Sequence, residues 1–342
     1  MQFGVAIDLQ QAPKAQRGFD EQMAALDALK GRELSADEIA LIKKLLAHRN
    51  NFIVGKAARL AEDAGLGDLV PDLLAAYDRF FTNAEKTDPQ CWAKNALSRA
   101  LARLECRDKD VFLRGLRHHQ MEPTWGGRSD SAGTLRAHCA HALIACNGLD
   151  NQELLVILID TLVDEDKTVR LETVRALAQL GEMAVPVLRL RALIPSRPAE
   201  EPEVLGQCFS ALLAIERDAA IAFVARFLEP GDDAAGEAAF ALAETRSPAA
   251  LATLLLRQKE VVEEWFSGVL LSAIALTRLP EANDFLLGMI EREEREAPRA
   301  IEALSRIAGD ELKARLQLAV HNTASPRLQK ALAESLASSS QP

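Results

Sequence analysis

Four of the six histidines fall within 24 residues of one another: His118, His119, His138 and His141. His138 and His141 are three apart, so on a helix they project to the same side. With Glu122 or Cys139 they would offer the nitrogen, oxygen and sulfur donors that zinc accepts. No HExxH and no paired CxxC accompanies them, so solvated or core histidines are the preferred reading, and no metal or cofactor is expected. Catalysis fares no better. No GxSxG, P-loop or GxGxxG follows a strand pattern, and no catalytic residue is assigned. The segment that stands out is "HHQMEPTWGGRSD", His118–Asp130. Trp125 is one of three tryptophans, Gly126-Gly127 permits a tight backbone path beside it, and Asp130 or Ser131 can cap a following helix. Either Trp125 packs back onto neighbouring helices and closes a connecting loop, or it is an aromatic anchor for a partner; the sequence leaves both open.

Whatever the site, helices must position it. In "DEDKTVRLETVRALAQLG", Asp164–Gly181, the residues Val169, Thr173, Ala176, Leu177 and Leu180 recur at steps of three and four, one face of a helix. Acidic residues open the segment and Gly181 closes it. Related Ala-Leu anchors occur at Ala100-Leu101, Ala142-Leu143, Ala211-Leu212, Ala241-Leu242, Ala275-Leu276, Ala303-Leu304 and Ala331-Leu332, with an inverted Leu60-Ala61 before them. The mean spacing is about 34 residues, the length of one helix pair. Upstream of each anchor a second helix is legible, from "ADEIALIKKLLAH" through "NQELLVILIDTLV" to "DELKARLQLAV". No segment combines two-residue alternation with β-branched enrichment, so no sheet is predicted.

The Asp-containing turn followed by Val169-Arg170 and Ala176-Leu177 resembles the second helix of HEAT repeats, especially the short bacterial form of phycobilisome-lyase-like HEAT proteins in the armadillo-like superfamily. That resemblance implies an all-α, right-handed α-α superhelix, an α-solenoid of about eight to nine HEAT-like helix pairs. The expected layout is an N-terminal cap over 1–35, the repeat array over 36–337 and a disordered tail over 338–342. One helix pair cannot bury its apolar side alone, so stacking has to make the core. Function is less constrained, because such arrays serve as adaptors, lyase subunits and nucleic-acid binders alike. Among relatives of this architecture, alkylpurine DNA glycosylases use a basic concave face carrying Trp, Asp and Arg, for which Trp125, Asp130, Arg136 and Arg170 are the matching residue types. A bilin-lyase-like subunit is a further alternative.

In HEAT-like stacks the second helices line the concave surface. Extending the register of Arg170 and Arg175 to earlier units gives Lys56 and Arg59, then Lys94, Arg99 and Arg103, then Arg136, His138 and His141. These residues, with Trp125, form the expected partner-binding set. Residues 1–200 carry 26 basic and 28 acidic side chains, against 14 and 22 in 201–342, so the charge is asymmetric along a chain of net charge −10. That balance disfavours a binder that meets nucleic acid or anionic membrane with its whole surface. The favoured partner is an acidic protein or peptide segment held by a non-catalytic scaffold; nucleic acid comes second. Five cysteines without CxxC spacing read as reduced thiols. "MQFGVAIDLQ" is too short in apolar residues for a signal peptide, and no run reaches the ~18 needed to span a membrane. A cytoplasmic monomer is expected.

Overall fold

The computed structural model describes residues 14–194, 200–229 and 231–338. The "MQFGVAIDLQ" stretch, most of the 195–202 joint and the tail from 339 lie outside the described residues. Two compact units divide after Ala176. The first holds α1 (Lys14–Asp27), α2 (Ala36–Leu46), α3 (Asn51–Asp63), α4 (Val70–Arg79), the single turn α5 (Ala84–Thr87), α6 (Trp92–Arg103) and α7 (Lys109–Leu116). It continues through strands β1 (Met121–Thr124) and β2 (Gly127–Asp130) to α8 (Gly133–Ala142), α9 (Asn151–Thr161) and the start of α10 (Lys167–Ala178). The second holds α11 (Val185–Leu193), α12 (Pro202–Glu216), α13 (Ile221–Ala225), α14 (Asp233–Glu244), α15 (Pro248–Glu260), α16 (Glu264–Leu276), α17 (Pro280–Glu291), α18 (Ala297–Ile307), α19 (Asp310–Thr323) and α20 (Pro326–Ser338).

Local chemistry sets the helix starts. Ser35 and Glu38 form a reciprocal capping box on α2, and Asp150 with Glu153 does the same on α9. Asn50 accepts the free amides of Phe52 and Ile53 at the start of α3, and Asp166 accepts those of Thr168 and Val169 in α10. Gly181 follows α10 with φ +60°, a left-handed stop that favours glycine.

Within each unit the helices alternate between two rows. In the first, α3, α6 and α8 pack side by side, while α2, α4 and α7 pack on them respectively and α1 covers α3. In the second, α12, α14, α16, α18 and α20 form one row, and α11, α13, α15, α17 and α19 pack on its members in turn. The Ala-Leu anchors lie in the seam between rows: Leu60, Ala61, Ala100, Leu101, Ala176, Leu177, Ala211, Leu212, Ala303 and Leu304 are all buried. Small and branched side chains in alternation let the helices approach closely. The chain is all-helical with helices packed in a row, as a helical repeat protein requires.

One expectation fails. The 119–130 connection is an antiparallel hairpin, with Met121 opposite Asp130 and Thr124 opposite Gly127. Trp125 and Gly126 make its two-residue turn, and Gly126 takes φ +90°. No run of β-branched residues announced it, because its backbone hydrogen bonds close within ten residues and it has no apolar face.

Candidate functional site

The residue set read from the sequence separates into two groups. At the first position of the register, Lys56, Lys94, Arg136 and Arg170 all turn inward. Lys56 Nζ donates to Met23 O at 3.1 Å and pairs with Asp27 at 2.5 Å, tying α1 to α3. Lys94 is wholly buried; its ammonium meets Asp88 at 3.0 Å, donates to Phe80 O at 3.2 Å and lies 5.7 Å from the Phe81 ring centre. Arg136, 3% exposed, donates to Asp164 at 2.7 and 2.9 Å, to Asp130 at 2.5 Å and to His118 O at 3.1 Å. Arg170 donates to Asp164 O at 2.6 Å and to Glu165 O at 2.9 Å. Each cation thus satisfies carbonyls at or beyond the end of the preceding helix, where the helix dipole is negative. Their expected exposure to a partner is corrected. They are clamps, since burying a long cation is tolerable only where carbonyls and carboxylates surround it.

Asp88 answers Lys94 from the other side. Its carboxylate accepts the amides of Ala93 and Lys94 at 2.8 and 3.0 Å, which start α6, and Asn51 Nδ2 at 3.1 Å. Asp130 plays the corresponding part before α8, accepting the amides of Gln120 and Ala132 and the side chains of Arg136 and His119. Burial alone would raise its pKa, but these donors hold the carboxyl well below the ordinary range. Of the four residues matching the glycosylase pattern, Asp130 and Arg136 are therefore bound to each other.

At the later register positions the cations face outward. Arg59 is exposed, with its guanidinium 5.9 Å from the Trp92 ring centre. Arg99, Arg103, His141 and Arg175 are also exposed. Two carboxylates lie among them: Glu62 accepts from Arg99 at 2.9 Å and stands 4.0 Å from Arg103, while Glu172 accepts from Arg175 at 2.5 Å and stands 3.9 Å from His141. Among the described residues no carboxylate pairs with Arg59. Cations therefore outnumber carboxylates along this face.

A shallow hollow of about 420 Å³ opens here, lined by Arg59, Gln90, Trp92, Asn95, Arg99 and His138 among others. Trp92 stacks at a tilt on Phe52, ring centres 5.3 Å apart, and both rings remain partly exposed. His138 is half-buried, and burial together with the nearby charge of Arg99 lowers its pKa, against the pull of Glu172 and Glu62. Its Nδ1 and Asn95 Oδ1 are buried and find no hydrogen-bond partner among the described residues. At the rim, Gln90 and Cys91 are consecutive non-glycine residues in the left-handed region, at φ 57° and 53°. The hairpin holds that turn. Glu122 accepts the Gln90 amide at 2.7 Å, and Gln120 Nε2 donates to Asp88 O at 2.9 Å.

Trp125 belongs to neither group. It is fully exposed at the hairpin turn, so the expectation that it packs back on the helices is wrong. The arms of the hairpin brace the turn that sets Trp92, while the tip touches little. Phe52, Gln90, Trp92 and Asn95 were missed from the sequence. One signal was present: an aromatic in the first turn of two successive inner-row helices, Phe52 in α3 and Trp92 in α6.

Among the described residues no group of three or more His, Cys, Asp or Glu could hold a metal ion, and no helix is long and apolar enough to cross a membrane. No protein-family model matches the chain, and no curated protein matches it. Among solved structures, the crystal structure of an engineered protein from a structural genomics programme is similar over 96% of this chain and 97% of that one, at 15% identity and a TM-score of 0.33.

Proposed function

We propose that the protein is a non-catalytic scaffold, an α-solenoid of HEAT-like helix pairs, whose α3, α6 and α8 row holds an acidic peptide or protein segment. The observation that carries this reading is Arg59 lying exposed over Trp92 without a carboxylate partner, beside Arg99 and the hollow. An arginine against an aromatic ring is a common binding hot spot, because the guanidinium meets a carboxylate in two directions while its flat face stays on the ring. Arg99, Arg103 and Arg175 would exchange their hold on Glu62 and Glu172 for carboxylates of the ligand. The half-exposed Phe52 and Trp92 rings would cover one apolar side chain. Glu62 and Glu172 favour a peptide over a nucleic acid, since a phosphate backbone would meet two fixed carboxylates in a short span and the chain as a whole is acidic.

A labelled peptide of several glutamates around one phenylalanine is the probe. Fluorescence anisotropy should show saturable binding to the full chain, weakening as salt rises, and a loss of about tenfold or more with Arg59→Glu/Arg99→Glu. Equal binding by wild type and variant would reject the site. Tight binding of random duplex DNA that collapses between ~50 and ~200 mM salt would reject the peptide reading in favour of nucleic acid.

A further inference from the structure

Cys106 and Cys146 lie just past the C-terminal ends of the α6 and α8 segments, forty residues apart in sequence. The backbone brings them together. Asp108 and Asn147 form a parallel bridge, and Asn147 N donates to Arg107 O at 2.9 Å. Each cysteine immediately precedes one of the two residues joined by that bond. Arg107 Nη1 also donates to Ala145 O at 3.2 Å, which pins the same two segments a second time. Paired backbones lie roughly 5 Å apart, within the Cα separation of roughly 4.4–6.8 Å that a disulfide spans. Both cysteines are free and only partly buried, whereas Cys91, Cys139 and Cys208 are fully buried.

From this juxtaposition we infer that Cys106 and Cys146 are a thiol–disulfide site, oxidised to an intramolecular disulfide by a low-molecular-weight disulfide such as oxidised glutathione. The sulfur of Cys106 attacks one sulfur of the oxidant, forming a mixed disulfide and releasing one thiolate. Cys146 then attacks Cys106 Sγ, forming the protein disulfide and releasing the second thiolate. The protein loses two protons and two electrons, and the oxidant's S–S bond takes up both electrons. Cys146 acts second for a physical reason. Burial, and then the neighbouring Cys106 charge, push its thiol up to about 11, so attack on an external oxidant is slow, while attack on a sulfur already held beside it is not. The bond would join the ends of the two helices that carry Trp92, Asn95, Arg99 and His138, fixing the spacing of two walls of the hollow. This inference does not depend on what the hollow binds.

The test is peptide mapping of the full-length reduced protein after incubation with oxidised glutathione, alkylation of free thiols and digestion without reduction. A linked peptide pair carrying Cys106 and Cys146 is expected, lost in Cys106→Ser and in Cys146→Ser and retained in Cys91→Ser. Oxidation should also raise the melting temperature of wild type and not of Cys146→Ser, because a cross-link restricts the unfolded chain. Glutathione adducts on separate cysteines, a link from Cys146 to Cys139, links between chains or unmodified thiols would each overturn the proposal. Wild-type mapping alone decides the matter if a variant fails to fold.

Discussion

At Lys94 a full positive charge sits where no water reaches, and only Asp88, the Phe80 carbonyl and the Phe81 ring stand in for hydration. Removing one partner of such a pair leaves the other charge buried without compensation, at a typical cost of about 3–5 kcal/mol. Lys94→Met should therefore lose several kcal/mol in urea denaturation, and adding Asp88→Asn to it should recover part of that loss because the orphaned charge is gone. A second substitution that deepens the loss would mean that Asp88 matters mainly as the cap of α6. Arg99 lies one helix turn further along, exposed, and its bond to Glu62 is a surface ion pair worth about 0–1 kcal/mol. Arg99→Ala should shift the denaturation midpoint little while weakening binding of the acidic peptide. A large stability loss there would place Arg99 with the clamps rather than with the recognition face.

At the scale of the element, close approach decides what each helix tolerates. Gly115 lies in α7 where an added Cβ would come within 2.3 Å of the Tyr77 hydroxyl and 2.4 Å of Cys139 Sγ, both belonging to buried side chains. Gly115→Ala should cost about 1–3 kcal/mol by overpacking, read as a lower melting temperature. Trp125→Ala, at a hairpin tip that touches little, should change stability by no more than about 0.5 kcal/mol. The same contrast explains what the sequence disclosed. Helices announce themselves through Ala-Leu anchors because burial at 3.6-residue spacing has no other cheap solution, and every segment read as an upstream helix contains one. Rotation about the helix axis is a finer matter. Lys94 and Arg99 share a face by spacing, yet Lys94 stands in the first turn of α6 within reach of Asp88 and the end of α4, and Arg99 does not. Carbonyls that draw a long cation inward belong to a different helix, so no local pattern records them. The hollow was invisible for the same reason: Arg59, Trp92 and His138 come from three helices.

For the whole molecule the titrating groups point mostly one way as the solution is acidified. His48, His118 and His138 each have a pKa below 6.5, with burial the leading cause in every case. A histidine kept neutral in the fold binds protons more readily once unfolded, so its stabilising contribution is complete above pH 6.5 and is lost as the pH falls through the range beneath. Asp130, held well below the ordinary range, adds a second loss below about pH 4, where the unfolded carboxyl takes up its proton first. Glu237 opposes them. Burial, then Glu203 and Glu244, raise its pKa, so it destabilises the fold at neutral pH and relieves that cost as it protonates. Three histidines against one glutamate predict a net fall in the urea midpoint from pH 7.5 to 5.5. Glu237→Gln should steepen that fall and His138→Gln should flatten it, since each removes one of the opposing groups. A midpoint that rises on acidification, with both variants following the wild type, would mean that relief of the net charge of −10 outweighs these individual groups.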